Sequence, residues 1–507
     1  MTSIPSPQDL GLRHESWRPN QYETVQTVVQ DDHDVVIVEA PTGTGKTDIA
    51  LGAARLNLLK TFTLTMNHSL QDQYVEEGNG KVIKVIGRAN YECILPDYDP
   101  HEARERGVKH GTTVDIAPCA GGYECPIKTS CPYFVNRDRA LRAGISSHNY
   151  AFWLPESTYS KGFTGADLLV CDEGHLLDNV LCEFASCTLS TGRLRQLESW
   201  NIPLPTSERI DDWAEVGIAA YNEGRRIAFS HPLGTVERAQ WLRTTRFYEG
   251  LANLEPQEER WVVDRSNDEV KIRPVWPVDT RGALLGGKTK KVLIMSATIL
   301  DVKLFTDVLG LTDYSFYKLP WVFPPESRPI YYRPVGVVTQ ETMAKVPSAL
   351  GNAISYILDK RRGEKGAIHT NSYMLQNAIL PFISDHSRLI IQSRGDNRTE
   401  VINRFKLDKS DSWIVSPSIS HGEDFTGDIA RNQIICKMPF ADMRDKVVRI
   451  RQRQMPRWYK FDTAQKLVQT IGRVTRSESD YGETWILDAK FESVVNNLPD
   501  EIKEAIR

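Results

Sequence analysis

The turn at residues 40–47, Ala-Pro-Thr-Gly-Thr-Gly-Lys-Thr, carries the residue types that bind a triphosphate. Gly43 and Gly45 allow backbone N–H groups to surround phosphate oxygens, and the start of a helix adds a positive dipole. The Lys46 ammonium can reach the β- and γ-phosphates, and the Thr47 hydroxyl can ligate Mg²⁺. Ala40 stands where the strict pattern has its first glycine. An apolar strand pattern before the turn and an apolar helix pattern after it favour a P-loop, so the sequence predicts a nucleoside triphosphate site.

A second strand pattern, residues 166–171, ends in the tetrad Asp172-Glu173-Gly174-His175. Asp172 can hold Mg²⁺ through a water ligand, and Glu173 can orient and deprotonate the water that attacks a γ-phosphate. We expect His175 to link the nucleotide site to neighbouring elements. The alternative, an acidic exit from a strand without chemistry, loses weight because a P-loop is present.

Two further groups of polar residues are suited to a nucleotide. Gln21, with Arg18 just upstream, precedes the P-loop strand and can read an adenine edge or simply begin an exposed helix. Arg473 and Arg476 are three residues apart, so on a helix they share one face. Paired guanidiniums suit the charge that grows on a γ-phosphate during transfer, although most surface arginine pairs are only solvated. Opposite a P-loop, the pair is an arginine-finger candidate.

Four cysteines, Cys93, Cys119, Cys125 and Cys131, lie in a stretch that is poor in apolar residues. Because such a stretch cannot build a sizeable core, four thiolates there favour an inorganic centre. The short C-x2–4-C pairs of zinc sites are absent from this stretch, whereas an iron–sulfur cluster tolerates looser spacing. Unligated structural cysteines are the alternative. The remaining cysteines lie in apolar segments and fit small core side chains: Cys171, Cys182, Cys187 and Cys436.

The densest basic run, residues 444–460, contains Trp458 and Tyr459 among its lysines and arginines. It predicts either a track for a phosphate backbone or a solvated helical face. The sequence alone does not separate these two interpretations.

Length and composition exclude several classes of protein. A chain of 507 residues suggests about three domains, and 40% hydrophobic with 25% charged residues is typical of a globular protein. The net charge of −4 limits any nucleic-acid surface to a local patch. No apolar run approaches the ~20 residues of a membrane span, and the N-terminus has no secretory pattern. We therefore expect a cytoplasmic protein, in the host cytoplasm if a virus encodes it.

An alternation of strands and helices must position these residues. Strand patterns at 61–65, 82–86 and 291–295 join those already named, and Ser-Ala-Thr at 296–298 ends the last one. From about residue 319 a second alternation runs to the end, which predicts a parallel sheet covered on both faces. Ser-Ala-Thr can couple two faces of such a core, or it can be a plain turn.

In this order, the motifs resemble those of the XPD/DinG family of superfamily-two DNA helicases. The match comprises the P-loop, the four-cysteine insertion, Asp-Glu-x-His, a second insertion, Ser-Ala-Thr and the Gln-x-x-Gly-Arg-x-x-Arg that begins at Gln469. Gly-Arg-Ala-Asn-Tyr-Glu-Cys at 87–93 and Asn-Tyr at 149–150 resemble DinG-type members. One departure is Gly174, where the family commonly has alanine, and we expect a harmless loss of one methyl group.

The resemblance implies an α/β fold with two RecA-like motor domains, each built on a parallel sheet. An iron–sulfur domain and a helical arch-like domain would be inserted into the first motor domain. The implied boundaries are 1–87, 146–185 and 285–318 for motor domain 1, 88–145 for the iron–sulfur domain, 186–284 for the arch-like domain and 319–507 for motor domain 2.

The resemblance also implies a role for each matching residue. The implied catalytic residues are Lys46, Asp172, Glu173, His175, Gln469, Arg473 and Arg476. The implied nucleotide-binding residues are Gln21, Thr42, Gly43, Thr44, Gly45, Lys46, Thr47 and Asp424, the last from a Gly-x-Asp motif that begins at Gly422. Cys93, Cys119, Cys125 and Cys131 become ligands of a [4Fe–4S] cluster, and Thr47 and Asp172 become ligands of Mg²⁺.

The implied function is ATP-dependent movement, 5′ to 3′, along single-stranded DNA with unwinding of duplexes, as in DNA repair or replication. The expected cofactors are ATP, Mg²⁺ and the cluster. The expected partners are single-stranded DNA and tailed or forked duplex DNA, bound by a monomer without a membrane, and RNA-containing duplexes stay open as substrates. Two alternatives remain: an ATP-driven translocase or remodeller that does not unwind, and a metal-centred nucleic-acid-binding regulator.

Overall fold

The structure, a computed structural model, describes residues 4–254, 260–266, 268–321, 324–419, 425, 427–474 and 480–507. The chain forms two compact units. The first comprises Met1–Val38, Thr47–Met295 and Phe305–Tyr317, and the second comprises Glu39–Lys46, Ser296–Leu304 and Lys318–Arg507. The P-loop turn and the Ser-Ala-Thr segment therefore group with the C-terminal part of the chain.

The strands follow the predicted alternation closely. In chain order they are β1 (Val35–Glu39), β2 (Thr61–Thr65), β3 (Val82–Lys84), β4 (Ile145–Asn149), β5 (Ala166–Cys171), β6 (Cys187–Ser190), β7 (Trp261–Arg265), β8 (Glu269–Pro274), β9 (Thr289–Ser296), β10 (Ser315–Lys318), β11 (Ile330–Gly336), β12 (Gly366–His369), β13 (Leu389–Ile391), β14 (Trp413–Ser416), β15 (Asn432–Ile435) and β16 (Glu483–Asp488).

The helices connect these strands and build the insertions. They are α1 (Gln21–Gln30), α2 (Lys46–Leu56), α3 (His68–Glu77), α4 (Leu95–Tyr98), α5 (Pro100–Glu105), α6 (Pro132–Arg142), α7 (Tyr150–Thr158), α8 (Leu177–Ala185), α9 (Thr191–Ser199), α10 (Ile210–Ser230), α11 (Val236–Ala252), α12 (Thr280–Leu284), α13 (Val302–Leu309), α14 (Val346–Lys360), α15 (Tyr373–Ile379), α16 (Arg398–Leu407), α17 (Lys446–Gln454), α18 (Pro456–Ile471) and α19 (Asp500–Lys503). Within the described ranges, no helix is both long and apolar enough to cross a bilayer.

The first sheet runs in the order β10-β1-β9-β5-β2-β4-β3, and the pairs β5–β9, β2–β5, β2–β4 and β3–β4 are parallel. Strands β1 and β2 are buried at every residue, as expected for β-branched runs in a sheet covered on both faces. β1 and β9 run in the same direction, since Val292 N–H donates to Asp34 and, further along, Ala40 N–H donates to Ser296, each at 2.8 Å. The carboxyl ends of β1, β5 and β9 therefore share one edge, where the P-loop, Asp172 and Ser-Ala-Thr follow.

The second sheet runs in the order β11-β16-β15-β12-β14-β13 and is parallel at every pair. Its core on one face includes Leu350, Ile354 and Trp413. Helix α18 packs through Leu467, Val468 and Ile471 into another cluster of the same unit. The predicted second α/β alternation with a parallel sheet is confirmed.

The two insertions contact each other. Helices α10 and α11 and the antiparallel sheet β6-β8-β7 share a core that includes Trp213 and Tyr248. The cysteine-bearing insertion has short helices and a small core that also takes in Val236 of α11. The Val236 N–H donates to the Arg106 carbonyl at 3.0 Å, and Arg243 pairs with Asp115 at 2.5 Å. The second insertion therefore supports the first.

Candidate functional site

The P-loop turn is shaped by its glycines and by internal hydrogen bonds. Gly43 and Gly45 have φ angles of 84° and 75°, a left-handed conformation that a side chain disfavours. Thr44 donates to the Pro41 carbonyl through its N–H at 3.3 Å and its hydroxyl at 2.7 Å. Lys46 begins α2, and its Nζ lies 3.5 Å from the Ala40 carbonyl oxygen. The lysine thus folds back over the turn, where a phosphate would be held.

Gln21 lies in the first turn of α1 and is only 1% exposed. Its side-chain oxygen accepts a hydrogen bond from the Arg18 N–H at 2.7 Å, which fixes the turn before the helix. Trp17 packs over Gly52 of α2 so closely that a Cβ there would lie 2.7 Å from the indole. The segment is therefore well positioned on α2, and the reading of an adenine edge by Gln21 stays a prediction.

Thr47 and Asp172, the predicted Mg²⁺ ligands, are both contacted by α3. The Tyr74 hydroxyl donates to Asp172 Oδ2 at 3.3 Å, and the neighbouring Gln73 amide donates to Thr47 Oγ1 at 3.4 Å. Asp172 is 5% exposed, and its Oδ1 accepts from the Glu173 N–H at 2.8 Å. Two consecutive residues of one helix thus connect the hydroxyl and the carboxylate.

Sequence reasoning did not find Tyr74 or Gln73. Burial, and then the adjacent Asp172 carboxylate, raise the pKa of Tyr74 well above its ordinary value, so the phenol stays a hydrogen-bond donor. Helix α3 buries only Gln71 and Tyr74, which gives its sequence a weak apolar pattern. The tyrosine itself, in a helix with so few apolar residues, was the feature of the sequence that could have indicated a buried polar contact.

Glu173, the predicted base, has φ 50° and ψ 43°, a conformation that is uncommon for a residue with a side chain. Such strain persists where the surroundings hold the backbone, and it is frequent at functional sites. His175 Nδ1 lies 3.4 Å from Glu173 Oε2, so the expected link from His175 to the site runs through this carboxylate. His175 is nearly buried, with 9% of its side chain exposed.

Gly174 is required by packing. A Cβ at this position would lie 2.3 Å from Ile294 Cγ2 and 3.2 Å from the Met295 carbonyl oxygen. The buried side chain of Ile294 occupies the space that an alanine methyl group would need, so the loss of that methyl leaves no gap here, and the expectation that it is harmless stays a prediction. The residues around Gly174, Ile294 and Met295, are thus packed to suit glycine at this position.

Helix α18 is hydrogen-bonded to the Ser-Ala-Thr segment. Gln469 donates to Thr298 Oγ1 at 2.6 Å, and Gln465, one turn earlier, donates to the Thr298 carbonyl at 2.7 Å. Ser-Ala-Thr is thus more than a plain turn, because it joins the end of β9 to α18 within the second unit. Gln465 is a further contact that the motif pattern did not include.

The end of α18 lies beside the P-loop. Gly472 ends the helix, and a Cβ there would lie 3.9 Å from Thr42 Oγ1. Arg473 follows directly and is 7% exposed. The structure therefore brings a P-loop residue and one predicted arginine finger into the same part of the second unit. Arg476, and Asp424 with Gly422, lie outside the described residues.

The aromatic residues of the basic run point into the fold. Trp458 is 5% exposed, and the buried Arg451 guanidinium lies 5.0 Å from its ring centre. Tyr459 donates to the Ala441 carbonyl at 3.0 Å, and Arg457 pairs with Asp301 at 2.9 Å. Trp458 and Arg451 are therefore buried, and Arg457 is already paired with an acidic side chain, so these residues are less suited to a surface that follows a phosphate backbone. The phosphate-track interpretation stays a prediction.

The four predicted metal-ligating cysteines are free thiols gathered in one small region. Cys93 and Cys131 are buried, and Cys119 and Cys125 are partly buried. Cys119 lies in a short 3-10 turn, Pro118–Gly121, and Cys131 caps α6. Burial raises the pKa of Cys119 to about 11, Arg88 opposes that shift, and the other three thiols add to it. Burial likewise raises the pKa of Cys93 and of Cys125.

These thiols fit a cationic inorganic centre. They interact electrostatically with one another, so each thiolate disfavours the next unless a positive group lies between them. Iron and zinc ions supply that charge and bind the deprotonated form. The donor set therefore fits the predicted cluster, whose presence stays a prediction.

Known proteins resemble this chain along most of its length. A sequence model of the helicase C-terminal domain matches residues 354–505. The ATP-dependent DNA helicase YoaA of Escherichia coli K12 is 21% identical over 564 aligned positions, covering 90% of this chain and 88% of YoaA. YoaA of Haemophilus influenzae is 20% identical, covering 92% of this chain and 90% of that relative.

Solved structures of XPD proteins share the fold. An XPD helicase structure superposes with a TM-score of 0.65 at 15% identity, covering 96% of this chain and 98% of that one. The Xpd4 structure from S. tokodaii gives a TM-score of 0.58 at 14% identity, covering 97% and 99%. The predicted α/β fold with parallel sheets is thereby confirmed. Sequence and fold together confirm that this chain resembles the XPD/DinG-like helicases of superfamily two.

Proposed function

We propose that this protein is an ATP-dependent DNA helicase that moves 5′ to 3′ along single-stranded DNA and separates duplex strands. The relatives from E. coli and H. influenzae carry the name ATP-dependent DNA helicase and align with nine-tenths of the chain. The observation that carries the proposal is the position of Thr42 in the P-loop beside Gly472, directly before Arg473. In this proposal the motor, iron–sulfur and arch-like domains keep the boundaries predicted from sequence.

Each residue of the site has a role that its surroundings support. The Gly43 and Gly45 turn and Lys46 would bind the β- and γ-phosphates, and Thr47 and Asp172 would hold Mg²⁺. Tyr74 and Gln73 keep these two ligands in position through the hydrogen bonds that they donate. Glu173 would take the proton from the attacking water, with its carboxylate oriented by His175.

Arg473 would stabilise the negative charge that develops on the γ-phosphate, and Arg476 is proposed as its companion. Arg473 is largely withdrawn from water, so its charge would be screened weakly and would act strongly on a phosphate. The short connection from Gly472 to Thr42 supports this assignment, since both belong to the second unit.

Coupling between hydrolysis and movement would pass through Thr298. Thr298 accepts hydrogen bonds from Gln465 and Gln469, and Ser296 of the same segment accepts one from Ala40 at the P-loop. A change at the P-loop would therefore reach α18 through two short steps. Loss of the γ-phosphate would relax these contacts and allow the motor domains to move along DNA.

Cys93, Cys119, Cys125 and Cys131 would hold a [4Fe–4S] cluster, which supplies four metal–thiolate bonds that cross-link the first insertion. The side chains around them give that insertion its own support. Arg88 donates to the Tyr133 hydroxyl at 3.1 Å, and Tyr133 is 1% exposed. Burial raises the pKa of Cys119, and the same arginine opposes that rise, which favours the thiolate that a metal needs.

The first experiment measures ATP hydrolysis by protein purified without oxygen, with single-stranded DNA or single-stranded RNA of equal length. We expect stimulation by DNA that exceeds stimulation by RNA. Stimulation by RNA alone would make the chain an RNA-dependent motor. An absence of hydrolysis with either polymer would favour the metal-centred regulator.

The second experiment measures strand displacement on matched duplexes that carry a single-stranded tail at the 5′ or the 3′ end. We expect displacement from the 5′-tailed duplex. Displacement from the 3′-tailed duplex alone would reverse the proposed polarity. DNA-stimulated hydrolysis without displacement would identify a translocase or remodeller that does not unwind.

A further inference from the structure

Three metal-ligating side chains meet outside the P-loop, at His14, Asp48 and Glu77. His14 Nδ1 lies 3.0 Å from Asp48 Oδ2 and 3.3 Å from Glu77 Oε2. The three ligand atoms all lie within 4.8 Å of one another. Metal–nitrogen and metal–oxygen bonds of about 2.0–2.2 Å place adjacent ligand atoms about 2.9–3.5 Å apart in tetrahedral or octahedral geometry. The two separations from His14 Nδ1, 3.0 and 3.3 Å, match those of ligands around one ion.

One polar atom of each residue in this triad lacks a hydrogen-bond partner among the described residues. Asp48 is 4% exposed, and no group in the described part of the chain donates a hydrogen bond to its Oδ1. The same holds for His14 Nδ1 and Glu77 Oε2, so the imidazole nitrogen, although close to both carboxylates, is hydrogen-bonded to neither. Buried groups of this kind are costly unless something satisfies them. An ion bound between the three residues would satisfy His14 Nδ1 and Glu77 Oε2, and it would satisfy Asp48 Oδ1 if that carboxylate bound through both of its oxygens.

Electrostatics also call for a cation at this point. Asp48 and Glu77 bring two carboxylates towards one nitrogen, and like charges at this range repel. Glu77 is the last residue of α3, where the helix dipole disfavours a negative charge. A divalent ion would offset both effects.

The triad is held in place by its backbone. The Arg13 N–H donates to the Glu77 carbonyl at 3.0 Å, and Arg13 also pairs with Glu76 at 2.6 Å. Leu12 is 2% exposed, and Trp17 packs on Gly52 of α2. The N-terminal segment is therefore anchored on both sides of His14, and the site does not depend on a loose loop.

We propose that His14, Asp48 and Glu77 bind one divalent transition-metal ion of the Zn²⁺ type. One imidazole and two carboxylates form a borderline donor set that suits such ions, and three protein ligands leave a position for water. The His14 side chain is 39% exposed while its Nδ1 is buried, so the site lies just below the surface. Since Asp48 directly follows Thr47, the ion would fasten residues 12–17 to the helix that begins at the P-loop.

The experiment measures zinc and iron content after equilibrium dialysis of the full chain against Zn²⁺ without nucleotide. We expect the wild-type protein to retain one equivalent of zinc more than His14→Ala, at equal iron content. Arg13→Ala is the matched control, because it removes only the neighbouring exposed ion pair and should keep the zinc. Equal zinc in the wild type and His14→Ala would overturn the proposal.

A second variant and a spectrum protect this test against misfolding and against binding at the cysteines. Glu77→Gln keeps the shape of the side chain and should also lose the extra equivalent of zinc. Co²⁺ in place of Zn²⁺ should give weak visible bands that are missing in both variants. Intense sulfur-to-cobalt absorption, unchanged in the variants, would show that the ion binds at cysteines and would overturn the assignment.

Discussion

The proposed nucleotide-site residues and the cysteine-bearing insertion are positioned in different ways. Lys46 and Asp172 follow strands of a sheet whose central members are buried on both faces, and Tyr74 already holds Asp172 through a hydrogen bond. The cysteines follow turns and short helices, and their small core borrows Val236 from the other insertion. One site is positioned by the fold, whereas the other must help to make its fold.

This difference predicts which of the two sites needs its ligand for stability. A triphosphate at the sheet edge would meet residues that the sheet has already placed, so its removal should cost activity and leave the fold intact. An inorganic centre at the cysteines would supply cross-links to a region with little apolar burial, so its removal should cost local structure. The following variants test the two halves of this comparison.

The largest effect is expected for Lys46→Ala. Loss of the ammonium at the proposed phosphate site should lower DNA-stimulated ATP turnover about 100- to 1000-fold, because charge stabilisation in the transition state is lost. The melting temperature should stay unchanged, since the hydrogen bond that the Lys46 ammonium makes within the described residues is a long one, 3.5 Å to the Ala40 carbonyl. ATP turnover and thermal unfolding, measured side by side, check both parts. Wild-type turnover in this variant would reject the site assignment.

Cys131→Ser tests whether the cysteine-bearing insertion needs its inorganic centre in order to fold. With the proposed cluster bound, wild-type protein purified without oxygen should be brown, and the variant should lose this colour. Amide exchange should also rise across α6, which Cys131 caps. DNA-independent nucleotide binding at the P-loop should persist, because α6 contacts the first sheet at its β3 edge, where Asn136 donates to the Lys84 carbonyl at 2.9 Å, whereas the P-loop follows β1 near the opposite edge.

Cys182→Ser in α8 is the matched control, since this partly buried cysteine lies outside the predicted ligand set. It should keep both iron and protection of α6. Zinc without iron in the wild type, if it is lost in Cys131→Ser but kept in His14→Ala, would replace the proposed cluster by a zinc centre. Unchanged exchange of α6 in Cys131→Ser would show that the insertion folds without its ligand, and the comparison would fail.

Gly174→Ala measures how tightly the sheet-edge site is packed. The added methyl would meet Ile294 Cγ2 at 2.3 Å, and overpacking of this kind costs about 1–3 kcal/mol. Because Glu173 precedes this residue in a strained conformation, turnover should fall together with stability. Gly192→Ala is the control, since its Cβ would meet only Ser190 Oγ, at 4.0 Å. Equal melting temperatures and turnover in the two variants would contradict this packing argument.

Local patterns were sufficient to predict much of the fold. The apolar run before the P-loop turn is β1 (Val35–Glu39), the strand pattern at 61–65 is β2, and the pattern at 166–171 is β5. Short apolar runs rich in β-branched residues are visible directly in a sequence. The P-loop turn was predictable for the same reason, since its glycines, lysine and threonine are neighbours in the chain.

Contacts between distant residues were not predictable in this way. Tyr74 reaches Asp172 across 98 positions, and Gln465 reaches Thr298 across 167. No spacing rule connects such pairs, because they depend on how helices pack against the sheet. The same reason explains Gly174, whose requirement for glycine comes from Ile294 on a neighbouring strand. The domain boundaries and the roles of Arg476 and Asp424 stay predictions.

The smallest effect expected is a pH dependence confined to the first sheet. His148 in β4 is fully buried beside Phe163, with ring centres 4.6 Å apart, and burial lowers its pKa to about 3. In the unfolded chain the pKa is about 6.5, so below that pH the unfolded state takes up a proton that the folded state refuses. The stability due to neutral His148 is therefore present above pH 6.5 and is lost as pH falls towards 3.

Between pH 7.5 and 5.5 the free energy of opening β4 should fall by about 1.4 kcal/mol, as measured by hydrogen exchange. His148→Gln, which cannot titrate, should lose about 1.4 kcal/mol less over the same interval. An equal loss in both proteins would show that groups other than His148 cause the acid sensitivity, and that the interior of the sheet does not contribute to it.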